Sequence, residues 1–269
     1  IASNLAALGI GEIWPVGFCG ADGEGFELCH ALKQLPGVKM EHFIESAEQR
    51  TFTYCKPLVM ESGQPPRELN RLDSKNWHPT PTALQDQLSN AVRKLANQVD
   101  AMIVLDQVDK PETGVVTKNI LAAIDEIRNQ TLVIGDSRRG LKDWPHIVYK
   151  MNANELAQLT ELASEPSESA ASSLSCQTGQ PVFVTLAEGG IIGATPDGVT
   201  TQSSALPVQG EIDIVGAGDA VTANLAAALA GGAELSEALA LANAGASVVI
   251  HKLGTTGTAS VEEVCEALG

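Results

Sequence analysis

Aromatic side chains are scarce: 269 residues carry only five Phe, three Trp and two Tyr. A core without large rings must be filled by small aliphatic groups. Ala, Gly, Leu and Val are abundant here, which suits helices packed closely on a sheet. Basic residues are also few, 17 Lys and Arg against 33 Asp and Glu, for a net charge of −16. Nonspecific nucleic-acid or anionic-membrane binding needs a basic footprint, so neither partner is expected. The five cysteines, at 19, 29, 55, 176 and 265, form no C-x-x-C pair or metal-ligand rhythm. They read as reduced, mostly buried thiols of a cytoplasmic protein. The longest apolar run, Ala220–Ala233, is too short to cross a bilayer, and no signal or transit peptide is visible. With 44% hydrophobic residues, disorder is excluded.

The periodicities describe an α/β chain. Ile1, Leu5 and Leu8 share a helical face that Gly9 stops, and Ile13–Val16 reads as a buried strand. Gly17, Gly20, Gly23 and Gly25 then punctuate a loop ahead of a helix around Phe26–Leu35. Residues 42–59 alternate like strands, Gly63–Pro66 reads as a turn, and Arg67–Asp73 as a polar stretch. After a helix over 82–98, strands at Ala101–Leu105, Leu132–Gly135, Val148–Met151 and Pro181–Leu186 alternate with helices at Val116–Asn129 and Asn154–Leu162. Ile191–Ala194 and Gly198–Gln202 pair as a hairpin. Helices follow near 217–230, 235–250 and 260–268. This rhythm predicts a mostly parallel sheet covered on both faces. Ser164–Ser175, the one low-complexity stretch, reads as a surface loop.

The chemistry concentrates in Asp213-Ile214-Val215-Gly216-Ala217-Gly218-Asp219, which runs straight into a helix. Gly216 and Gly218 permit a tight turn that exposes N–H groups at a helix N-terminus, an anion site. A dinucleotide fingerprint would need glycine at 221, where Val stands, and Asp219 would repel a pyrophosphate; a nicotinamide oxidoreductase is thereby disfavoured. A carboxylate beside an anion hole suits removal of a proton from a hydroxyl that attacks a phosphoryl group. The competing reading is that Asp219 only caps the helix.

Asp213-x-x-Gly216-Ala217-Gly218-Asp219 resembles the C-terminal signature of the ribokinase/PfkB carbohydrate kinases. Gly17-x-x-Gly20-x-Asp22-x-x-Gly25 resembles the family's N-terminal signature, and Asn152-x-x-Glu155 its N-x-x-E motif. Thr185-Leu186-Ala187-Glu188-Gly189-Gly190 resembles its nucleotide strand, with Ala187 in place of a glycine. Asn243-Ala244-Gly245-Ala246 followed by Gly254 resembles its closing helix and loop. The motifs occur in family order over nearly the whole chain.

The resemblance implies a single ribokinase-like three-layer domain over 1–269, with lid strands at about 39–60. It also implies that the opening strand and part of the sugar site lie upstream of Ile1. Asp219 would be the base, and the N–H groups of Gly216, Ala217 and Gly218 would stabilise the transferring phosphoryl group. Asn152 and Glu155 would organise Mg²⁺, Glu155 through water, around the phosphates of ATP. Thr185, Gly190 and Asn243 would border the nucleotide. For Glu155 the alternative is an ordinary acid at a helix start; for Asn243, a polar residue on a helix side. Asp213, Gly254 and Thr258 match positions that hold a monovalent cation such as K⁺ in many members, although Val215 replaces a usual Thr.

The polar segments Arg50–Pro57, Arg67–Asp73 and Asp136-Ser137-Arg138-Arg139 resemble the branch that includes the heptose-7-phosphate kinase domain of ADP-heptose synthesis. Arg50, Lys56 and Arg138, with Arg139, would then meet a sugar that already carries a phosphate; alternatively they are solvated surface cations. Edge strands of the lid would pair with a second subunit. Two functional readings stand: a sugar kinase, or a silent sugar- or nucleotide-binding relative of the same fold. Asp219 favours the first, since a silent relative has no need of the base.

Overall fold

In the computed structural model, which describes residues 1–64, 67–161 and 165–269, a six-stranded sheet forms the centre. Its strands are β7 (Ala101–Asp106), β8 (Leu132–Ser137), β9 (Val148–Asn152), β10 (Val182–Thr185), β11 (Ile191–Ala194) and β12 (Thr200–Ser203). They lie side by side in that order. β7 to β10 run parallel; β11 and β12 form the hairpin read from the sequence.

The strands alternate strictly between two helical layers. Val133, Tyr149, Met151, Val182 and Val184 face a core with α3 (Thr82–Leu95), α4 (Lys118–Ile127), α5 (Ala153–Thr160) and α6 (Ser167–Thr178). Ile134, Val148, Phe183 and Ile191 face the opposite core, built on α7 (Ala217–Ala230) and α8 (Leu235–Ile250). Both faces are thus covered, as parallel strands require. α7 and α8 approach closely because they are rich in Ala; a Cβ at Gly245 would collide with Asn224. α9 (Val261–Leu268) closes the chain against α8.

The N-terminal part starts with α1 (Ala2–Ala7) and then makes a separate parallel pair, β1 (Gly17–Gly20) with β2 (Phe43–Ser46), joined by α2 (Gly23–Gln34). The expected strand Ile13–Val16 is a correction: Ile13 makes one isolated bridge to Val38. Pro15 has no N–H with which to extend it, so regular pairing starts at Gly17, inside the stretch read as loop. Two small antiparallel pairs stand apart from the main sheet. β3 (Thr53–Cys55) pairs with β6 (Leu72–Ser74), and β4 (Leu58–Val59) with β5 (Arg67–Glu68). Strand pairing therefore extends beyond residue 60 into the stretch read only as polar.

Two other expectations change. Ser167–Thr178 is helical because Ala170, Ala171 and Leu174 recur at helical spacing and are buried against the sheet, a pattern masked by the serines around them. Ser164, where that low-complexity stretch begins, lies outside the described residues, as do Pro65, Pro66 and Leu162 of the expected turn and helix. The cysteines are not mostly buried: only Cys19 is, while Cys55, Cys176 and Cys265 are exposed. No helix among the described residues is long and apolar enough to cross a membrane.

The small pairs are anchored through Asp22, the N-cap of α2. Its Oδ1 accepts from Gly25 N–H at 2.8 Å and from the Thr51 hydroxyl at 2.6 Å; its Oδ2 accepts from Thr51 N–H at 3.0 Å. Thr51 Oγ1 in turn accepts from Gly20 N–H at 2.8 Å. The Thr51 hydroxyl, followed by the amide bonds, holds the Asp22 carboxyl below its ordinary value. Asp22 therefore stabilises the fold above its unfolded-state pKa and loses that contribution as pH falls through the lower folded value, below about pH 4. Thr51→Val leaves the buried Gly20 N–H without its acceptor and removes one of the three bonds to Asp22, and should cost about 1–3 kcal/mol in urea titration. It should also flatten the acid limb of the stability profile.

Candidate active site

The carboxyl ends of β7 to β10 and the start of α7 meet at one edge of the main sheet, where open α/β sheets place ligands. The turn into α7 is set by Gly216, the N-cap, at φ +90°. A Cβ there would collide with the Thr256 carbonyl, so glycine is required by both backbone angle and space. Asp219 is the third residue inside the helix and does not cap it. Its carboxylate makes no hydrogen bond or ion pair among the described residues, and it is partly exposed.

The amides divide unevenly. Ala217 N–H donates to the Ile214 carbonyl at 3.2 Å and Val215 N–H to Asp213 Oδ1 at 3.0 Å. The N–H groups of Gly216, Gly218 and Asp219 have no partner among the described residues. The amides free to meet an anion are thus those of Gly216, Gly218 and Asp219, with Ala217, one of the expected donors, already engaged.

Asn152 ends β9 and caps α5. Glu155 N–H donates to Asn152 Oδ1 at 3.0 Å, and Asn152 N–H to Glu155 Oε2 at 2.8 Å, a reciprocal capping box. The other carboxylate oxygen of Glu155 has no hydrogen-bond partner among the described residues. Among the described residues no group of three or more His, Cys, Asp or Glu could hold a metal by itself. A Mg²⁺ ion fits only as a partner of phosphates and waters, with Glu155 contributing one oxygen.

Thr185 is aligned with Asn152 in the sheet register, and its hydroxyl donates to the Met151 carbonyl at 3.4 Å. Gly190, at φ +85°, lies against the Ser203 carbonyl with no room for a Cβ. Asn243 on α8 is buried and donates to the carbonyls of Ser203 at 2.8 Å and Ser204 at 3.3 Å. It fixes the segment that backs Gly190, so Thr185, Gly190 and Asn243 share one edge of the sheet. Ala187, the departure from the glycine pattern, adopts φ +50°. A side chain in this left-handed region costs about 1–2 kcal/mol.

Asp213 N–H donates to the Ile250 carbonyl at 2.8 Å, which ties the turn to the end of α8. Gly254 has φ +70°, and the Thr258 carbonyl accepts from Lys252 Nζ at 2.5 Å, an ammonium also 2.6 Å from Glu263. The loop expected to hold a monovalent cation thus already contains an ion pair, with the Thr258 carbonyl engaged by its ammonium.

The cations expected at the sugar side part company. Lys56 pairs with Glu68 at 3.6 Å in a solvent-exposed bridge. Arg50 is exposed; its backbone N–H donates to Asn76 Oδ1 at 2.9 Å. Arg138 stacks over the ring of Tyr54 at 5.2 Å, and Arg71 lies over the same ring at 5.0 Å. The Tyr54 hydroxyl donates to the Gln107 carbonyl at 2.6 Å, joining β3 to the chain just past β7. Arg139 instead holds the buried Asp106 at 2.6 Å. Burial raises the Asp106 carboxyl above its ordinary value, although Arg139 and the Ser137 hydroxyl pull the other way.

Sequence reasoning missed a buried ion pair beneath the anion site. Lys150 Nζ lies 2.7 Å from Asp136 Oδ2, and the Thr222 hydroxyl approaches the same oxygen at 3.3 Å. A lysine within the apolar strand Val-Tyr-Lys-Met was the available signal.

Comparison with known proteins gives the family and the fold. The profile of the pfkB family carbohydrate kinases matches residues 1–262. The chain belongs to that family. It is 30% identical over 262 residues to the bifunctional protein HldE of Azorhizobium caulinodans, covering 95% of this chain and 52% of that one. The chain spans about half the length of the curated relatives it matches. Among solved structures, Arabidopsis thaliana ribokinase complexed with ribose and ATP matches at a TM-score of 0.73 and 20% identity, over 99% of this chain and 86% of that one. A putative ribokinase II of E. coli in complex with ATP and Mg²⁺ matches at 0.77 and 16%, over 99% and 85%. The fold is ribokinase-like.

Gly216→Ala tests the turn into α7. Strain at φ +90° alone costs about 1–2 kcal/mol, and displacement of Thr256 adds to it. Thermal unfolding should show at least that loss.

Proposed function

We propose that this pfkB-family chain is an ATP-dependent sugar kinase, with Asp219 as the base that takes a proton from the attacking hydroxyl. The observation that carries this reading is the pairing of an uncommitted carboxylate with three uncommitted N–H groups at the start of α7. The amides stabilise charge on the γ-phosphoryl group as it passes in line to the sugar oxygen. Asn152 and Glu155 stand where phosphates would arrive, and Mg²⁺ supplies charge neutralisation when bound. Thr185, Gly190 and Asn243 border the nucleotide. Neighbours of the same fold hold ATP, Mg²⁺ and ribose, which supports these assignments.

The substrate proposed is a phosphorylated sugar of the heptose 7-phosphate type, met in the cytoplasm. Arg138 and Arg71 place two guanidinium groups at the ring of Tyr54 for its phosphate, Arg71 in an exposed pair with Asp73, and Arg50 adds a third cation nearby in sequence. Lys56, already paired in solvent, contributes less. Asp213, Gly254 and Thr258 remain the donors for a monovalent cation such as K⁺, although the Thr258 carbonyl already accepts from Lys252. The strands after residue 50 act as a lid. Exposed Leu58, Met60, Leu69 and Leu72 suit their pairing with a second subunit. Leu72→Asp should shift sedimentation toward a monomer.

The decisive experiment measures ADP release by the protein at its natural length with Mg-ATP and heptose 7-phosphate, ribose or fructose. Turnover that depends on a sugar and falls by about a thousandfold or more in Asp219→Asn supports kinase and base together. Undiminished turnover in the variant overturns the base. Tight nucleotide binding without ADP release on any sugar points to a silent binding relative.

A further inference from the structure

The face of the sheet turned toward α7 is apolar until it reaches the active edge, where it becomes charged. Leu132 and Ile134 are followed on that face by Asp136, and Val148 by Lys150. Ile134 and Val148 are register partners, so Asp136 and Lys150 stand side by side one step further on. Both are buried, with Nζ 2.7 Å from Oδ2. The Thr222 hydroxyl, itself buried, donates to the Gly218 carbonyl at 3.0 Å and reaches Asp136 Oδ2 at 3.3 Å. A Cβ added to Gly218 would lie 3.3 Å from Lys150 Nζ. The ammonium is therefore packed against the first turn of α7, beside the uncommitted N–H groups of Gly218 and Asp219.

As a purely structural element this arrangement is poorly placed. A helix N-terminus carries about half a positive charge, so it repels a cation held beside it. Burying an ion pair also costs desolvation that its attraction seldom repays, and an apolar pair of similar volume packs at least as well. The same layout becomes favourable once a polyanion enters. The helix amides and the ammonium then converge on one negative group, and Asp136 has kept the lysine desolvated and aimed beforehand.

We propose that Lys150 is a further catalytic residue that donates to a non-bridging oxygen of the γ-phosphoryl group, and that Asp136 is its positioning residue. The inference rests on the kinase reading above. In the transfer, the sugar O–H gives its proton to Asp219, and its oxygen forms a bond to the γ-phosphorus. The bond from that phosphorus to the β,γ-bridging oxygen breaks, and ADP leaves with the electron pair. Lys150 keeps its protons throughout and contributes charge alone.

The test compares binding of Mg-AMP-PNP and Mg-ADP to the natural-length protein by calorimetry, with turnover on heptose 7-phosphate alongside. Lys150→Met should weaken the triphosphate analogue by about 10- to 100-fold, the value of a charge-assisted hydrogen bond, and ADP by less than about threefold. Turnover should fall by about 100-fold or more. Lys150→Arg should recover part of the triphosphate preference. Because Lys150→Met leaves a buried carboxylate alone, the double variant Asp136→Asn/Lys150→Met is measured as well. It removes both charges and should show the same selective loss. Equal weakening of both nucleotides, or none, in whichever of these variants folds overturns the proposal. Asp219→Asn separates the two claims: retained turnover there refutes the base, while the triphosphate preference still reports on Lys150. A wild-type protein that binds neither nucleotide removes the kinase reading and this inference together.

Discussion

The start of α7 can present its amides only because Gly216 takes a left-handed backbone with the carbonyl of Thr256 pressed against it. That one contact orients the first helical turn, and the rest of the edge is arranged around it. Asp213 ties the turn to the end of α8, Asn243 on α8 holds the segment behind Gly190, and Thr222 anchors back to Gly218. The helix dipole then does the electrostatic work that side chains do elsewhere, which suits a chain with few cations.

Such economy has a counterpart in how the cations are used. In a protein of net charge −16, about half of the Lys and Arg side chains are paired with a local acid among the described residues, such as Arg93 with Glu126, Arg139 with Asp106 and Lys252 with Glu263. Arg138 instead rests on an aromatic face, and Lys150, although paired with Asp136, is buried against α7. Surface pairs contribute little to stability, so what separates these residues is where they sit.

Much of this was legible in the sequence, and the exceptions share a cause. The glycine-aspartate segment leading into α7, the bounds of α7 and α8, the hairpin and the alternation of strands and helices are local patterns, and reading them needs only spacing. Asp219 could be read as a cap or as a base, and its position two residues beyond the first helical residue decides against the cap. Asn152 and Glu155 were noticed as a motif, but their capping box is a matter of atoms. What stayed hidden depends on partners far along the chain. Lys150 is an isolated charge in a strand until Asp136 and Thr222 are placed beside it. Tyr54 is an ordinary strand residue until Arg71 and Arg138 close on its ring. Helix α6 was concealed by its serines, because only three small or aliphatic residues carry its buried face.

The Asp22 network also fixes where the small β pairs can move. Both strands of the β3–β6 pair are pinned at their root: Arg50 and Asn76 exchange two hydrogen bonds of 2.9 Å, and Thr51 is bound to Asp22 and Gly20. Rotation about that root would strip Thr51 from the capping carboxylate of α2 and break four or more hydrogen bonds at once. Any pivot for the proposed lid therefore lies farther out, at Phe52 on one strand and Lys75 on the other. Beyond it, the pair is held to the main body by the Tyr54 ring and the Lys75–Asp109 bridge, each worth only about 1 kcal/mol where water competes. A helix cap would thus draw the mechanical boundary of the proposed lid.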